Sequence, residues 1–310
     1  INWQQNKTSM LISGALTSDT SSWKDSSLLS VSQLTSDGLE LLFDVSRNMK
    51  RLVLTEGGDD RLKHKILATV FYEASTRTSC SFQSAILRLG GSFLHVDGKG
   101  NSSASKKGES LQDTIRCMES YVDVVALRHS SNILDNVGPL MAKNGVSGNN
   151  NTRSHKPIIN AGDGCQEHPT QALLDLFTIE DELSDFLHSP NKNGFAPSPT
   201  TVMSSDGPET PEPLIIVMLG DLHHGRTVHS LAKLVTIWNP SRPVILRYCS
   251  PIDALRMPKY IQEYVSEHGS SFVTQEEYND PREATKGAHV LYVTRLQKER
   301  FSSLEEYKQV

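Results

Sequence analysis

Ser75-Thr76-Arg77-Thr78 puts three hydroxyls and one guanidinium into four consecutive residues. Such a run suits anions, because hydroxyls donate to oxygens and the planar guanidinium fork matches two oxygens of a phosphate. Further cations and amide donors recur along the chain in Lys107, Arg128, His168, Gln171, Arg226, Arg295 and Gln297. No serine stands in a recognisable triad, no paired carboxylates stand out, and the histidines and cysteines lack metal-ligand spacing. Neither a metal nor a cofactor is expected. Cations and donors without a nucleophile suit a reaction between two anionic reactants, driven by positioning and by stabilisation of a developing oxyanion. Taken singly, each signal has a plainer explanation: Ser and Thr cap helices routinely, and a lone histidine before a helix is more often a cap.

The apolar pattern supplies the elements that must position these groups. Residues 66–72 predict a buried parallel strand, and residues 82–89, closed by Gly90-Gly91, predict a helix. The hydroxyl-rich turn between them would offer helix N–H groups and the positive end of the helix dipole to an anion. A strand at 92–96 leads into a polar, basic loop, 98–109, that holds Ser103 and Lys107. A helix at 111–121 and a strand at 122–127 follow, the strand ending at Arg128-His129. After a low-complexity stretch at 144–156, residues 157–162 return to the sheet. His168-Pro169 then opens a helix running from 172 to about 186, with His168 and Gln171 three apart at its start.

Residues 188–213, rich in Pro, Ser, Thr and Gly, predict a flexible insertion. A second α/β unit begins with a strand at 214–219 that runs into Gly220-Asp221-Leu222 and Arg226. It continues with a strand at 244–248, a helix at 254–268, and strands at 271–273 and 289–293. The last strand delivers Arg295 and Gln297. A glycine turn between strand and helix suggests a dinucleotide site, but the G-x-G-x-x-G spacing is absent and nicotinamide is discounted. Upstream, an amphipathic helix is expected over 37–53, behind a flexible lead-in at 1–27.

The 310 residues suffice for two domains, and the net charge of −5 argues against a nucleic-acid partner. Neither a membrane span nor a signal segment is seen, and four scattered cysteines fit a reducing, cytoplasmic setting. The absence of an initiator Met and the polar, helix-like stop at Val310 read as cuts in something longer.

Taken together, Ser75-Thr76-Arg77-Thr78, His168-Pro169-Thr170-Gln171, Gly220-Asp221-Leu222 with Gly225-Arg226-Thr227-Val228-His229-Ser230, and Thr294-Arg295-Leu296-Gln297-Lys298-Glu299 resemble the aspartate carbamoyltransferases. The match in order and spacing covers about 29–310. The first two motifs are shared by carbamoyltransferases generally, and the latter two separate the aspartate enzymes from the ornithine enzymes. The insertions resemble a eukaryotic, fungal version within a multifunctional pyrimidine-synthesis protein. The resemblance implies an α/β fold of two doubly wound parallel-sheet domains joined by an interdomain helix, with part of the C-terminal region missing from the sequence. Its domains would be 28–167 for carbamoyl phosphate and 168–310 for aspartate.

Residue by residue, the resemblance gives the phosphate to Ser75, Thr76, Arg77 and Thr78, and the carbonyl oxygen to Thr78, Arg128 and His168. Gln171 would hold the carbamoyl amino group. Arg226, Arg295 and Gln297 would bind the aspartate carboxylates, and their guanidiniums would repel the ammonium of ornithine. Ser103 and Lys107 would reach into the neighbouring subunit's site in a homotrimer, and the chain would be fused to carbamoyl phosphate synthase and dihydroorotase-like domains. The family's proline-leucine loop and terminal helix, beyond the Thr-Arg-x-Gln motif, are not in this sequence. Another carbamoyltransferase and a catalytically silent scaffold remain the competing readings.

Overall fold

Alternation within Leu67-Ala68-Thr69-Val70-Phe71 sends Ala68 and Val70 to one side of a sheet and Leu67 and Phe71 to the other, and the computed structural model buries both sides. It describes residues 14–99, 107–142, 155–164, 166–188, 211–238, 240–269 and 271–295. The chain divides into two compact units, Ile1–Gln171 and Ala172–Val310.

In the first unit, α1 (Ser36–Thr55), β1 (Ile66–Phe71), α2 (Thr76–Arg88), β2 (Ser92–Asp97), α3 (Leu111–Glu119), β3 (Val124–His129), α4 (Ile133–Ala142) and β4 (Ile158–Asp163) follow in order. The strands form a parallel sheet ordered β2-β1-β3-β4. Ala68, Val70, Val125 and Leu127 pack with Ile115 of α3 and Ile133 and Val137 of α4 on one face. Leu67, Phe71 and Ala126 pack with Ile86 of α2 on the other. This is a doubly wound arrangement, and the direction in which strands are added to the sheet reverses between β1 and β3.

Helix α5 (Pro169–Glu182) contains the division between the units and is followed by α6 (Ser184–His188). The second unit then holds β5 (Leu214–Leu219), α7 (Arg226–Val235), β6 (Val244–Cys249), α8 (Lys259–His268), β7 (Val273–Tyr278), α9 (Pro281–Ala284) and β8 (Val290–Val293). Its parallel sheet has the order β7-β6-β5-β8, so the switch point lies between β5 and β8. Every position from Val228 to Val235 of α7 is buried, which makes this the core helix of the unit. Val217 and Cys249 meet Ala284 of α9 on one face of the sheet. Among the described residues no helix is long and apolar enough to cross a membrane.

Several elements differ from the sequence expectation. The lead-in is ordered from residue 14: Leu16 is 1% exposed and bridges Leu34, while Leu28 bridges Ile159 beside β4. Residues 1–13 lie outside the described set. Helix α2 starts six residues before the expected 82, because the polar hydroxyl run that reads as a turn is the N-cap and first turn of the helix. Strand β3 is shifted to 124–129, which makes Arg128 and His129 its last two residues. The helix expected over 254–268 is divided at Pro258 into a 3-10 turn, Asp253–Leu255, and α8. The short strand expected at 271–273 is β7, hidden in the sequence by its polar Thr274-Gln275-Glu276-Glu277 run at the sheet edge. Helix α4 carries no sequence expectation. The division between the two compact units falls after Gln171. Most of the expected insertion, 189–210, lies outside the described residues, as do Ser103 and Gln297.

Candidate functional site

In each sheet some of the sequence-predicted site residues stand at the carboxyl ends of the strands flanking the switch point, Ser75–Thr78 and Arg128 in the first and Arg226 and Arg295 in the second, the edge where open α/β sheets bind ligands. In the first unit β1 runs into Tyr72-Glu73-Ala74-Ser75 and then α2. Ser75 takes the N-cap position with extended backbone, yet its side chain makes no capping bond. Thr76, Arg77 and Thr78 form the first turn, where helix N–H groups lack intrahelical acceptors. Thr76 and Arg77 are exposed, and Ser75 and Thr78 are half-buried. Hydroxyls, a guanidinium and first-turn N–H groups at one helix start are the kinds of group that an anion site uses.

Arg128 lies opposite Phe71 across the β1–β3 pairing. Its side chain is only 12% exposed, with Nη2 3.4 Å from Glu73 Oε2 and Nη1 donating to the Ala161 carbonyl at 3.3 Å. The β3–β4 register shifts between Leu127 and His129, around Arg128. The next residue, His129, accepts from Ser131 N–H at Nδ1 and stands edge-on to Tyr72. Burial lowers its pKa below the ordinary 6.5.

His168 follows β4 on a loop held from two sides. Asp163, 1% exposed, accepts from Glu167 N at 2.7 Å and from Ile133 N at 3.2 Å. Glu167 in turn accepts from Ser30 Oγ and Val31 N, both at 3.0 Å. Gly164 turns at φ +46°, and a Cβ there would lie 2.6 Å from the Ser130 carbonyl, so the turn admits only glycine. His168 itself is 5% exposed, its Nδ1 3.4 Å from Thr170 Oγ1, and its carbonyl accepts from Gln171 N at 3.1 Å. Pro169 begins α5. The Ser75–Thr78 turn, Arg128 and the His168 loop thus lie at or after the carboxyl ends of the three neighbouring strands β1, β3 and β4. Lys107 is exposed beside Gly108.

In the second unit Arg226 is the first residue of α7, after the turn from β5, and exposed Arg295 follows β8. Thr294 ties these strand ends together: its N–H donates to the Leu219 carbonyl at 2.8 Å, and its hydroxyl lies 3.3 Å from the Leu219 and Asp221 carbonyls. Gly220 allows that approach, since a Cβ there would lie 2.5 Å from Thr294 O. Fully buried Asp221 accepts from His224 N at 3.0 Å and pairs with His224 Nδ1 at 3.1 Å. The His223 ring stands edge-on to His224, with centroids 4.7 Å apart.

Arg77 and Arg226 each sit within the first turn of a helix, where the dipole disfavours a cation. An anion resting on both the helix start and the guanidinium would remove that penalty. Sequence reasoning gave no supporting role to Glu73, Asp163, Glu167, Asp221, His224 or Thr294. Asp221 and Thr294 stand inside the quoted motifs, Thr294 directly before Arg295; Asp163 and Glu167 bond chiefly to backbone N–H groups, which leave no sequence signal.

Residues 26–181 match the family described as aspartate/ornithine carbamoyltransferase, carbamoyl-P binding domain. The chain is 44% identical over 281 residues to the multifunctional protein CAD of Squalus acanthias, covering 91% of this chain and 10% of that protein. It therefore spans about a tenth of the length of that relative. It is 39% identical over 287 residues to the aspartate carbamoyltransferase catalytic subunit of Thermoplasma volcanium, covering 93% of this chain and 79% of the relative. The crystal structure of aspartate transcarbamoylase from Trypanosoma cruzi in complex with carbamoyl aspartate and phosphate is similar at a TM-score of 0.70 and 32% identity, covering 90% of this chain and 77% of that one. The chain belongs to the aspartate carbamoyltransferase family.

Proposed function

We propose that the protein transfers the carbamoyl group of carbamoyl phosphate to the α-amine of L-aspartate, forming N-carbamoyl-L-aspartate and phosphate in de novo pyrimidine (UMP) synthesis. The observation that carries this reading is the placement of Arg77 and Arg226 at two helix starts, one beside each sheet's switch point. Two anion sites suit two anionic substrates, and the complexes of the Trypanosoma cruzi relative with carbamoyl aspartate and phosphate support the same pair.

In this reading the first unit is the carbamoyl phosphate domain. Ser75, Thr76, Arg77 and Thr78 hold the phosphate, Gln171 the carbamoyl amino group, and Thr78, Arg128 and His168 the carbonyl oxygen. The second unit is the aspartate domain, in which Arg226, Arg295 and Gln297 hold the two carboxylates. The neutral amine attacks the carbamoyl carbon and a C–N bond forms, with the oxyanion held by His168, Arg128 and Thr78. Collapse breaks the C–O bond, and the departing phosphate takes the proton from nitrogen. No covalent enzyme intermediate is required. Ser103 and Lys107 complete the site of a neighbouring subunit in a homotrimer; the exposure of Lys107 supports that role. The likeness to CAD supports a place in a multifunctional, cytoplasmic polypeptide beside carbamoyl phosphate synthase and dihydroorotase-like domains.

The test is carbamoyl-aspartate formation from carbamoyl phosphate and L-aspartate, with L-ornithine as the competing acceptor. Arg77→Ala and Lys107→Ala should each lower turnover about 100-fold or more, as expected when a group that stabilises developing charge is lost. Mixing the two variants under subunit exchange should restore part of the activity, because some sites then receive both native groups. Turnover without restoration would retain the reaction and remove the shared site. A parent protein that carbamoylates ornithine, or neither acceptor, would overturn the reading.

A further inference from the structure

Thr69 places a hydroxyl in an otherwise apolar layer. It lies in the middle of β1, 0% exposed, on the face where Leu67 and Phe71 pack with Ile86 of α2. A valine would fill the same space, and a hydroxyl kept in such a place has to be bonded. Its partners come from two other elements. Oγ1 lies 2.8 Å from Nδ1 of His95, the residue opposite it on β2, and accepts from Gln83 Nε2 of α2 at 3.4 Å. The same amide nitrogen donates to Ser79 Oγ at 2.9 Å. With Gln83 donating, the Thr69 proton goes to His95 Nδ1.

Ser79 is where this chain of bonds reaches the hydroxyl-rich turn. It directly follows Thr78, and its N–H donates to the Ser75 carbonyl at 3.2 Å, closing the first turn of α2. On the sheet side, β1 pairs with β3: Phe71 stands opposite Arg128, and Tyr72 N donates to the Arg128 carbonyl at 2.8 Å. Apolar packing of Phe82 and Ile86 holds α2 against the sheet without a preferred direction, whereas the bond to Thr69 has one favoured geometry.

Resting on the reading that this unit binds carbamoyl phosphate, we propose that Gln83 is a positioning residue for that substrate, pinning the start of α2 to β1 through Ser79 and Thr69. The pin sets the spacing between the helix start, which receives the phosphate, and Arg128, which receives the carbonyl oxygen of the same molecule. Gln83 is half-buried and His95 exposed, so both reach water when the pin is removed. Thr69 keeps His95 as a partner when Gln83 is lost. Removing the pin therefore strands no buried polar group, and its effect on binding separates from stability.

Gln83→Met and Thr69→Val test this, alone and combined. Each single change should raise the KM for carbamoyl phosphate about fivefold, with kcat and the KM for aspartate within about twofold and urea midpoints near the parent's. The double variant should be no worse than the worse single one, since both break the same pin. Thr69→Ser, which keeps the hydroxyl, should retain the parent KM. Phosphonoacetamide, which carries a phosphonate and an amide carbonyl, should lose affinity about fivefold in calorimetry, whereas inorganic phosphate, which does not span to Arg128, should lose less than twofold. Additive effects, an unchanged KM for carbamoyl phosphate, or equal rises in both KM values with a lowered urea midpoint would overturn the proposal. Equal losses for phosphonoacetamide and phosphate would overturn it too, because the spacing would then not be what the pin sets. A parent without turnover whose phosphonoacetamide affinity still falls in Gln83→Met would sink the proposed reaction and sustain this inference. A parent that binds no phosphonoacetamide would overturn both.

Discussion

At the scale of single residues, the two helix-start arginines invite comparison with lysine. Arg77 can present two parallel N–H donors to one phosphate, whereas lysine presents a point charge on a flexible stem. Arg77→Lys keeps the charge and the exposure, so its effect isolates the fork. The KM for carbamoyl phosphate should rise about tenfold with folding unaffected, and steady-state kinetics beside thermal melting would check both. An unchanged KM would remove Arg77 from the site. Two half-buried histidines make a separate, pH-dependent statement. His129 in the first unit and His289 in the second are both held below the ordinary 6.5 by burial, and each accepts a backbone N–H at Nδ1. Because the folded values are depressed, the unfolded chain takes up these protons first as pH falls. The stability they contribute is therefore complete above about 6.5 and is lost as pH falls through the depressed folded values. Urea midpoints should be lower at about pH 5.5 than at about 7.5, and His129→Gln combined with His289→Gln should flatten that slope. A slope unchanged in the double variant would assign the acid sensitivity to other groups.

At the scale of elements, helix starts in the first unit divide into two kinds. Ser110 accepts from Asp113 N at 3.1 Å and caps α3, and Thr35 accepts from Gly38 N at 3.2 Å and caps α1. Ser75 occupies the same position before α2 and makes no such bond. In the proposed function its hydroxyl, with the N–H groups of the first turn, serves the phosphate. Ser110→Ala should therefore cost about 1 kcal/mol of stability with little change in substrate affinity. Ser75→Ala should stay within about 0.5 kcal/mol of the parent while raising the KM for carbamoyl phosphate about fivefold. Urea unfolding and kinetics on both variants would separate a structural cap from a binding cap, and a matching loss of stability in Ser75→Ala would place Ser75 with the structural ones. The same position shows the limit of sequence pattern. A hydroxyl-rich run reads equally as turn or helix start, and only the backbone decides that α2 begins at Thr76. Strand β5 was legible to the residue because Leu214-Ile215-Ile216-Val217-Met218-Leu219 is apolar on both faces, as a central parallel strand must be. Edge strand β7 was not, since one covered side permits the polar Thr274-Gln275-Glu276-Glu277. The turn at Asp163–His168 was legible only at His168, because its fixation depends on carboxylates bonded to N–H groups distant in sequence.

At the scale of the whole molecule, two sheets of the same doubly wound kind each offer one switch point, and the proposed division of labour rests on the chemistry placed there. The first switch point has hydroxyls, helix N–H groups and Arg128 held by Glu73, a set fitted to a phosphate and a polarised carbonyl. The second has Arg226 and Arg295 around a turn locked by Thr294 and Asp221, a set fitted to carboxylates. Alternation of strands and helices was enough to anticipate two such units, but strand order is not written in any one segment, and the positions of Arg128 and Arg295 beside their switch points emerge only once β3 pairs with β1 and β8 with β5. If each unit answers to its own substrate, ligands should protect different backbone amides. Carbamoyl phosphate alone should slow hydrogen exchange at Thr76, Arg77 and Thr78, whose N–H groups begin α2 and await an acceptor. Succinate added to that complex should slow exchange around Arg226, Thr227 and Val228, where α7 begins. Exchange followed peptide by peptide would read the two effects separately. Protection of the α7 start by carbamoyl phosphate, with the α2 start left open, would reverse the assignment of substrates to units. Protection at neither start would show that the helix termini are not the anion sites, and the roles of Arg77 and Arg226 would fall together.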